Sequence, residues 1–356
     1  MKLSFVLGTA GELIKIYPLL TEASKREVEW QVVSTGQSGK NFFMQWQDFY
    51  LPETQLIRVI KSETDLASAP AAFFWFMRAL FQKPVTRFLP DFQIVHGDTL
   101  STVIGGIWAR RLGIPCVHVE SGLTSGKVFE PFPEEINRRI AVRLAQYYMA
   151  PGQNAVDFLS RSQAKNLITN TIENTLIDSV QLAVSNYSVT TIDKPYVVAN
   201  LHRFENVSFL PRWQVLISTL LKASKKHKVI LVLHPQTRAK LKTDTEAEKK
   251  LMRAGVELWE RQPFSKFIGL LSQADYVISD GGSNQEECYY LGIPCLLLRQ
   301  HTERQEGLGQ NCVLSGLNEN HIDNFLQNYI SFRRQPVCVK TQPTSIIFDA
   351  LEKALR

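Results

Sequence analysis

The sequence predicts an α/β protein built from two Rossmann-like parallel-sheet domains facing a cleft, with a C-terminal helix crossing back to the first. Three observations lead there. Short apolar runs alternate with helix-length segments along the chain, the order that makes a parallel sheet with helices on both faces. The chain has 356 residues, more than one core comfortably organises. Each apolar run ends in glycine or in a polar residue, as strands do where they enter the loops at the carboxyl edge of a sheet. The expected division is residues 1–168, residues 169–340 and a returning helix over 341–356.

Taken in order, Ser4–Leu7 reads as a buried strand that breaks at Gly8-Thr9-Ala10-Gly11, and a helix carrying Lys15 follows from Glu12 to Ala23. GxGxxG is missing, and the next strand, Trp30–Ser34, ends without an acidic residue, so no nicotinamide cofactor is expected. Residues 37–64 are mixed. Ala69–Leu89 reads as a helix with a wide aromatic face that includes Phe73, Phe74, Trp75, Phe76, Phe81 and Phe88. Two readings stand for it: packing against a sheet, or, with Arg78, Lys83 and Arg87 nearby, a peripheral membrane or lipid face. Phe92–Val95 is the next strand, ending in His96-Gly97-Asp98-Thr99, with a helix over Ser101–Leu112. Pro115–Val119 ends at Glu120, and a helix beginning near Glu134 puts Glu134 and Arg138, four apart, on one face. Tyr147–Ala150 closes the first series, and residues 153–194 read as helix and then loop. The second series has strands over Tyr196–Leu201, ending in His202-Arg203, and Val229–Leu233, ending in His234-Pro235. One polar helix is expected over 239–255, and an amphipathic one over Thr344–Arg356.

The most informative stretch is Tyr276–Gln305. An apolar strand runs into Asp280-Gly281-Gly282-Ser283-Asn284, a helix follows over Gln285–Leu291, and a second strand follows over Pro294–Leu298. Glycines at a strand-to-helix handover let the backbone approach a ligand, and a helix N-terminus favours an anion such as phosphate. The plainer reading is a turn capped by Ser283 or Asn284. Glu286 and Glu287 are expected in the first helical turn, as dipole partners or as acceptors for sugar hydroxyls.

Composition narrows the classes. Hydrophobic residues make up 44% and charged residues 21%, ordinary for a globular protein. The net charge of +6 comes from scattered Lys and Arg, which suits a polyanionic small ligand and gives no nucleic-acid face. None of the five cysteines forms CxxC, and Cys116 and Cys295 lie in apolar runs, which reads as reduced, buried cysteine in a cytoplasmic protein. No apolar run approaches a membrane span. HxxxH and DxD spacings are missing, so no metal is expected. Asp98, Glu120, His202, His234 and Asp280 all fall at or just past strand ends, the edge at which open parallel sheets bind ligands. Carboxylates come mainly from the first half, and histidines with the glycine turn from the second. That split suits a nucleotide held by one domain and a sugar worked on by the other.

At these residues the chain resembles the UDP-N-acetylglucosamine 2-epimerase family. The stretches that carry the resemblance are HGDT (96–99), HVESGL (118–123), PFPEEINR (131–138), HRFEN (202–206), QEE (285–287) and TER (302–304), in the family's order along nearly the whole chain. The resemblance implies a glycosyltransferase-B-like fold, a UDP-sugar substrate, usually a homodimer, and neither redox cofactor nor metal. It implies elimination of UDP to a glycal and re-addition on the other face, in the supply of surface polysaccharide precursors. Asp98, Glu120 and Glu134 would then be acid/base candidates, and Arg138 would order the carboxylates or the diphosphate. His202 and the Gly281, Gly282, Ser283 turn would meet the diphosphate, and Glu287 the ribose. Lys15, His234, Asp280 and Arg304 complete the expected substrate contacts. Departures are Ala10 in the loop usually written GTRPE, Thr124 where an arginine is usual, Asp280-Gly281-Gly282-Ser283 with its serine shifted for the usual DSGG, and Gln305 in TERPE. Losing a charge-assisted contact to a diphosphate costs roughly 1.5–3 kcal/mol. A hydrolysing outcome, a glycosyltransferase and a nucleotide-sugar-binding protein without catalysis are therefore the alternatives.

Overall fold

A computed structural model describes residues 1–60, 69–124, 126, 133–161, 167–186, 192, 195–302 and 304–356. The described residues form two wholly parallel sheets in two compact units, Met1–Ser179 with Val339–Arg356, and Val180–Cys338.

The first unit holds β1 (Lys2–Leu7), β2 (Glu29–Ser34), β3 (Leu56–Arg58), β4 (Phe92–His96), β5 (Cys116–Val119), β6 (Tyr147–Ala150) and β7 (Ile168–Asn170). They lie in the order β3-β2-β1-β4-β5-β6-β7. The central strands are apolar on both faces because helices cover both, and β4 and β5 are buried at every residue. The Ala10–Lys25 helix starts at a capping box: the Thr9 side chain accepts from the Glu12 N–H while Glu12 reaches back to the Thr9 N–H. The C-terminal helix, Pro343–Ala354, belongs to this unit. Buried Asp178 accepts from the Thr344 N–H at 2.8 Å and its hydroxyl at 2.5 Å, and Arg26 pairs with Glu352 at 2.9 Å.

The second unit holds β8 (Tyr196–Asn200), β9 (Lys228–Leu233), β10 (Glu257–Glu260), β11 (Tyr276–Ser279), β12 (Cys295–Leu297) and β13 (Cys312–Leu314), in the order β10-β9-β8-β11-β12-β13. Its core packs Trp213, Leu216 and Leu220 against Val229, Leu231 and Ile278. In both sheets the strand order reverses at the centre, between β1 and β4 and between β8 and β11. Loops diverge there and leave a crevice at the carboxyl ends.

Several sequence expectations need correction. The aromatic helix ends at Phe81, not Leu89, because Pro84 offers no N–H and disfavours a helical Lys83. It packs inward through Trp75 and Ala79 while Phe73, Phe74 and Phe81 are exposed. The segment 239–255 is two helices, Pro235–Thr243 and Thr245–Arg253, because Asp244 stops the first and caps the second through the Ala247 N–H. Residues 153–194 contain β7, and the first unit continues through Ser179 rather than ending at 168. The helix after Asp280 begins at Gly282. Its N-cap is Gly281, so Ser283 and Asn284 are not caps, and Glu286 and Glu287 lie beyond the first turn. The expected loop through Phe132, and Glu303 of the TER stretch, lie outside the described residues.

Candidate active site

In the first unit, three loops at the carboxyl edge bring the charged groups together. Glu120 follows β5 directly and holds a left-handed backbone, φ 61°. A side chain bearing a Cβ adopts that region at a cost, and such residues cluster at functional sites. Its Oε2 meets Lys15 Nζ at 2.5 Å and His96 Nε2 at 3.1 Å. Asp98, two residues past β4, pairs through Oδ2 with Arg138 at 2.6 Å, and Asn137 Nδ2 donates to its carbonyl at 2.9 Å. The helix Glu134–Leu144 therefore fixes Asp98 at both side chain and backbone. Arg138 turns its other face to Glu135 at 3.4 Å rather than to Glu134. Glu135 is fully buried and also takes the Thr124 hydroxyl at 2.6 Å and Arg139 at 3.3 Å. Thr124 thus stands against a buried carboxylate at the position where an arginine was expected. Glu134 is half-buried, and its Oε2 is buried without a hydrogen-bond partner.

Two buried groups stiffen these loops. Glu12 accepts from the Gly8 and Thr9 N–H groups at 2.9 and 2.8 Å and from Thr99 Oγ1 at 2.7 Å, tying the loop after β1 to the loop after β4. Burial pushes its carboxyl above the usual range, against the pull of these donors. Burial pushes His118 down to about 4, so the ring is neutral at pH 7 and its Nε2 contacts the Gly97 carbonyl at 2.7 Å.

In the second unit, Asp280 is fully buried at the end of β11. It accepts from the His202 N–H at 2.8 Å, and from the Arg203 N–H and Asn206 Nδ2 at 3.0 Å each. It is expected as a substrate contact, but these bonds make it the anchor of the His202–Asn206 loop. The His202 ring stacks on His234 with centroids 4.3 Å apart. Burial lowers both imidazoles, His234 to about 3, so the pair is neutral at pH 7. A Cβ on Gly281 would lie 2.8 Å from His202 Cε1 and 2.9 Å from Asn284 Oδ1, so only glycine fits under the ring. The helix that starts here has no side-chain cap. Along it, Asn284 donates to Glu287 at 2.8 Å and Glu286 pairs with Arg304 at 2.7 Å. Gln285 Nε2 holds the carbonyls of Arg304 and Glu306, fastening the following loop to the helix. An uncapped helix end with a glycine turn and neutral imidazole donors suits an anion.

All five strand-end residues singled out from sequence stand at the carboxyl edges. Asp98 and Glu120 share the first unit; His202, His234 and Asp280 cluster in the second. Sequence reasoning missed His96, Glu12 and Glu135. For His96 and Glu12 a signal was present: each sits beside a glycine loop at the end of a buried strand. Among the described residues no three His, Cys, Asp or Glu side chains are arranged to hold a metal ion, and no helix is long and apolar enough to cross a membrane.

Two parallel sheets interleaved with helices, each with polar residues at its carboxyl edge, define the class, an α/β protein of the glycosyltransferase-B-like fold. Comparison with known proteins then gives the family. A sequence model of the UDP-N-acetylglucosamine 2-epimerase family matches residues 21–343, and the chain belongs to that family. A relative from Methanocaldococcus jannaschii named UDP-N-acetylglucosamine 2-epimerase is 29% identical over 323 residues, 86% of each chain. The crystal structure of the UDP-GlcNAc 2-epimerase from Neisseria meningitidis bound to UDP-GlcNAc superposes with a TM-score of 0.79 at 26% identity, covering 99% of this chain and 100% of that one. The M. jannaschii enzyme in complex with UDP-GlcNAc and UDP shares the fold, with a TM-score of 0.77 at 23% identity over 100% of both chains.

Proposed function

We propose that this chain interconverts UDP-N-acetylglucosamine and its C2 epimer by eliminating and re-adding UDP. The observation that carries the reading is Glu120, a carboxylate on a strained backbone, gripped by Lys15 and His96 beside the Asp98–Arg138 pair. In the first unit, a carboxylate among Asp98, Glu120 and Glu134 takes the C2 proton. The C1–O bond to UDP breaks with its electron pair leaving on the diphosphate, and a C1=C2 double bond forms. A carboxylic acid then returns a proton to the opposite face while UDP oxygen re-forms the bond to C1. Donors aimed at the leaving group stabilise the charge that develops there. In the second unit, the uncapped end of the Gly282–Leu291 helix with His202 and His234 supports diphosphate binding. Glu287 and Arg304 are assigned to the rest of the nucleotide. No metal or redox step enters this scheme.

The test is proton NMR of the purified chain with UDP-GlcNAc in deuterated water. Deuterium at C2 with a UDP-ManNAc signal is the expected result. Free ManNAc with UDP would replace epimerisation by hydrolysis, and an unchanged spectrum from chain that binds UDP would overturn the reading. The proposed setting is a cytoplasmic homodimer feeding surface polysaccharide synthesis, supported by the family resemblance and by five free cysteines. Exposed Phe73, Phe74 and Phe81 support a contact there with a second copy or a membrane surface. Light scattering with and without anionic vesicles separates these two.

A further inference from the structure

We propose that His96 is a positioning residue for the reaction: with Nε2 as an acceptor it steadies the protonated form of Glu120, while Lys15 holds the ionised form. The inference rests on the acid/base role given to Glu120 above.

The placement follows from the sheet. His96 is the last residue of β4, and its register partner on β5 is Val119, the residue before Glu120. The left-handed turn at Glu120 sends its side chain back across the strand ends, where Oε2 stands 3.1 Å from His96 Nε2. His96 is 3% exposed, so water does not compete for that nitrogen, and Nε2 is a buried atom without an aligned hydrogen-bond partner. It is in contact with the carboxylate but not lined up with it. A small swing of Glu120 completes the bond.

The charges around the ring explain why a histidine stands there. From the Ala10–Lys25 helix come Lys15, on the same Oε2 at 2.5 Å, and the buried Glu12. From β5 come Glu120 and the neutral His118, whose Nε2 is occupied by the Gly97 carbonyl. Asp98 follows on the same loop, balanced by Arg138. Lys15 is only a donor and suits only the ionised form of Glu120. Once Glu120 carries the C2 proton, it needs an acceptor, and an imidazole nitrogen can be one. The proton remains on Glu120 while Nε2 accepts its O–H, then leaves with the returning step. No other group gains or loses a proton. A glutamine at this position still offers an oxygen that can accept this O–H, and a leucine offers no acceptor.

His96→Leu removes the acceptor and His96→Gln keeps one. The expected result is a kcat for C2 exchange lower by about 10–100-fold in His96→Leu with KM unchanged, and a kcat largely restored in His96→Gln. A kcat in His96→Leu equal to that of the unaltered chain, or the same loss in both variants, would overturn the proposal. Because His96 is buried, a second measurement uses the unaltered fold. Long-range nitrogen–proton NMR of the His96 ring is recorded before and after Glu120→Gln. The expected result is a changed Nε2 chemical shift in Glu120→Gln, and identical spectra overturn the pairing. If the unaltered chain exchanges no C2 proton, it is the functional reading that fails, and the nitrogen spectra still decide the pair.

Discussion

The two units build their ligand edges on one plan and fill them with opposite chemistry. In both, the strand order reverses at the centre, and the loops on either side of that reversal carry the polar residues. The first unit sets carboxylates against cations: Glu120 with Lys15, Asp98 with Arg138, Glu135 with Arg138 and Arg139. At the edge of the second, His202 and His234 are neutral and the buried Asp280 is committed to backbone N–H groups, with one carboxylate–cation pair, Glu286 with Arg304, along the helix that follows. Under the proposed function, the groups that change protonation sit beside charged partners and the groups that hold an anion are locked, so that the same scaffold would separate chemistry from grip.

The sharpest way to break this comparison is to remove the proton-handling group alone. Glu120→Gln is expected to lower the rate of C2 exchange by roughly 10²–10⁴-fold, with UDP affinity within a factor of about two, by exchange NMR and calorimetry. If UDP affinity falls as far as the rate, the division of labour is wrong. Gly281→Ala tests the other side. The added methyl meets His202, and UDP affinity is expected to fall about tenfold, roughly 1.4 kcal/mol, while C2 exchange at saturating substrate changes little. Asp280→Asn keeps the shape but replaces one acceptor oxygen by a donor facing backbone N–H groups. A loss of about 1–3 kcal/mol in thermal or denaturant unfolding is expected.

A separate expected effect is on pH. His234 and His202 have folded-state values below the unfolded one, so the unfolded chain binds more protons and stability falls as pH drops. For His234 the window runs from about 6.5 down to about 3. His234→Gln should lose less stability than the unaltered chain across that window, measured by melting temperature against pH. In the first unit, the raised value of Glu12 acts in the opposite direction, since its folded form holds a proton longer and its contribution falls as pH rises.

The central strands were legible because they are apolar at nearly every position and end in glycine or a charge. β7 and β10 were not, because they are half-exposed edge strands of three and four residues with no apolar signature. β3 and β13 are three residues long, too short for periodicity to speak. Site positions were legible for a similar reason: Asp98, Glu120, His202, His234 and Asp280 follow buried strands. Partnerships were not. Lys15 and Glu120 are 105 residues apart, and nothing local says that they meet. Nor does sequence distinguish Asp280, anchored on backbone N–H groups, from Asp98, paired with an arginine, because that depends on which groups the neighbouring elements turn toward each.

The return of the Pro343–Ala354 helix also has a consequence in time. The second unit is one unbroken segment, so everything it needs has left the ribosome once Cys338 is clear. The first unit lacks residues 339–356 until the whole second unit has been made, and Asp178 waits for Thr344 to satisfy it. The half made first is therefore finished last. A chain cut back to Cys338 would leave the later-made half whole and the earlier-made half open.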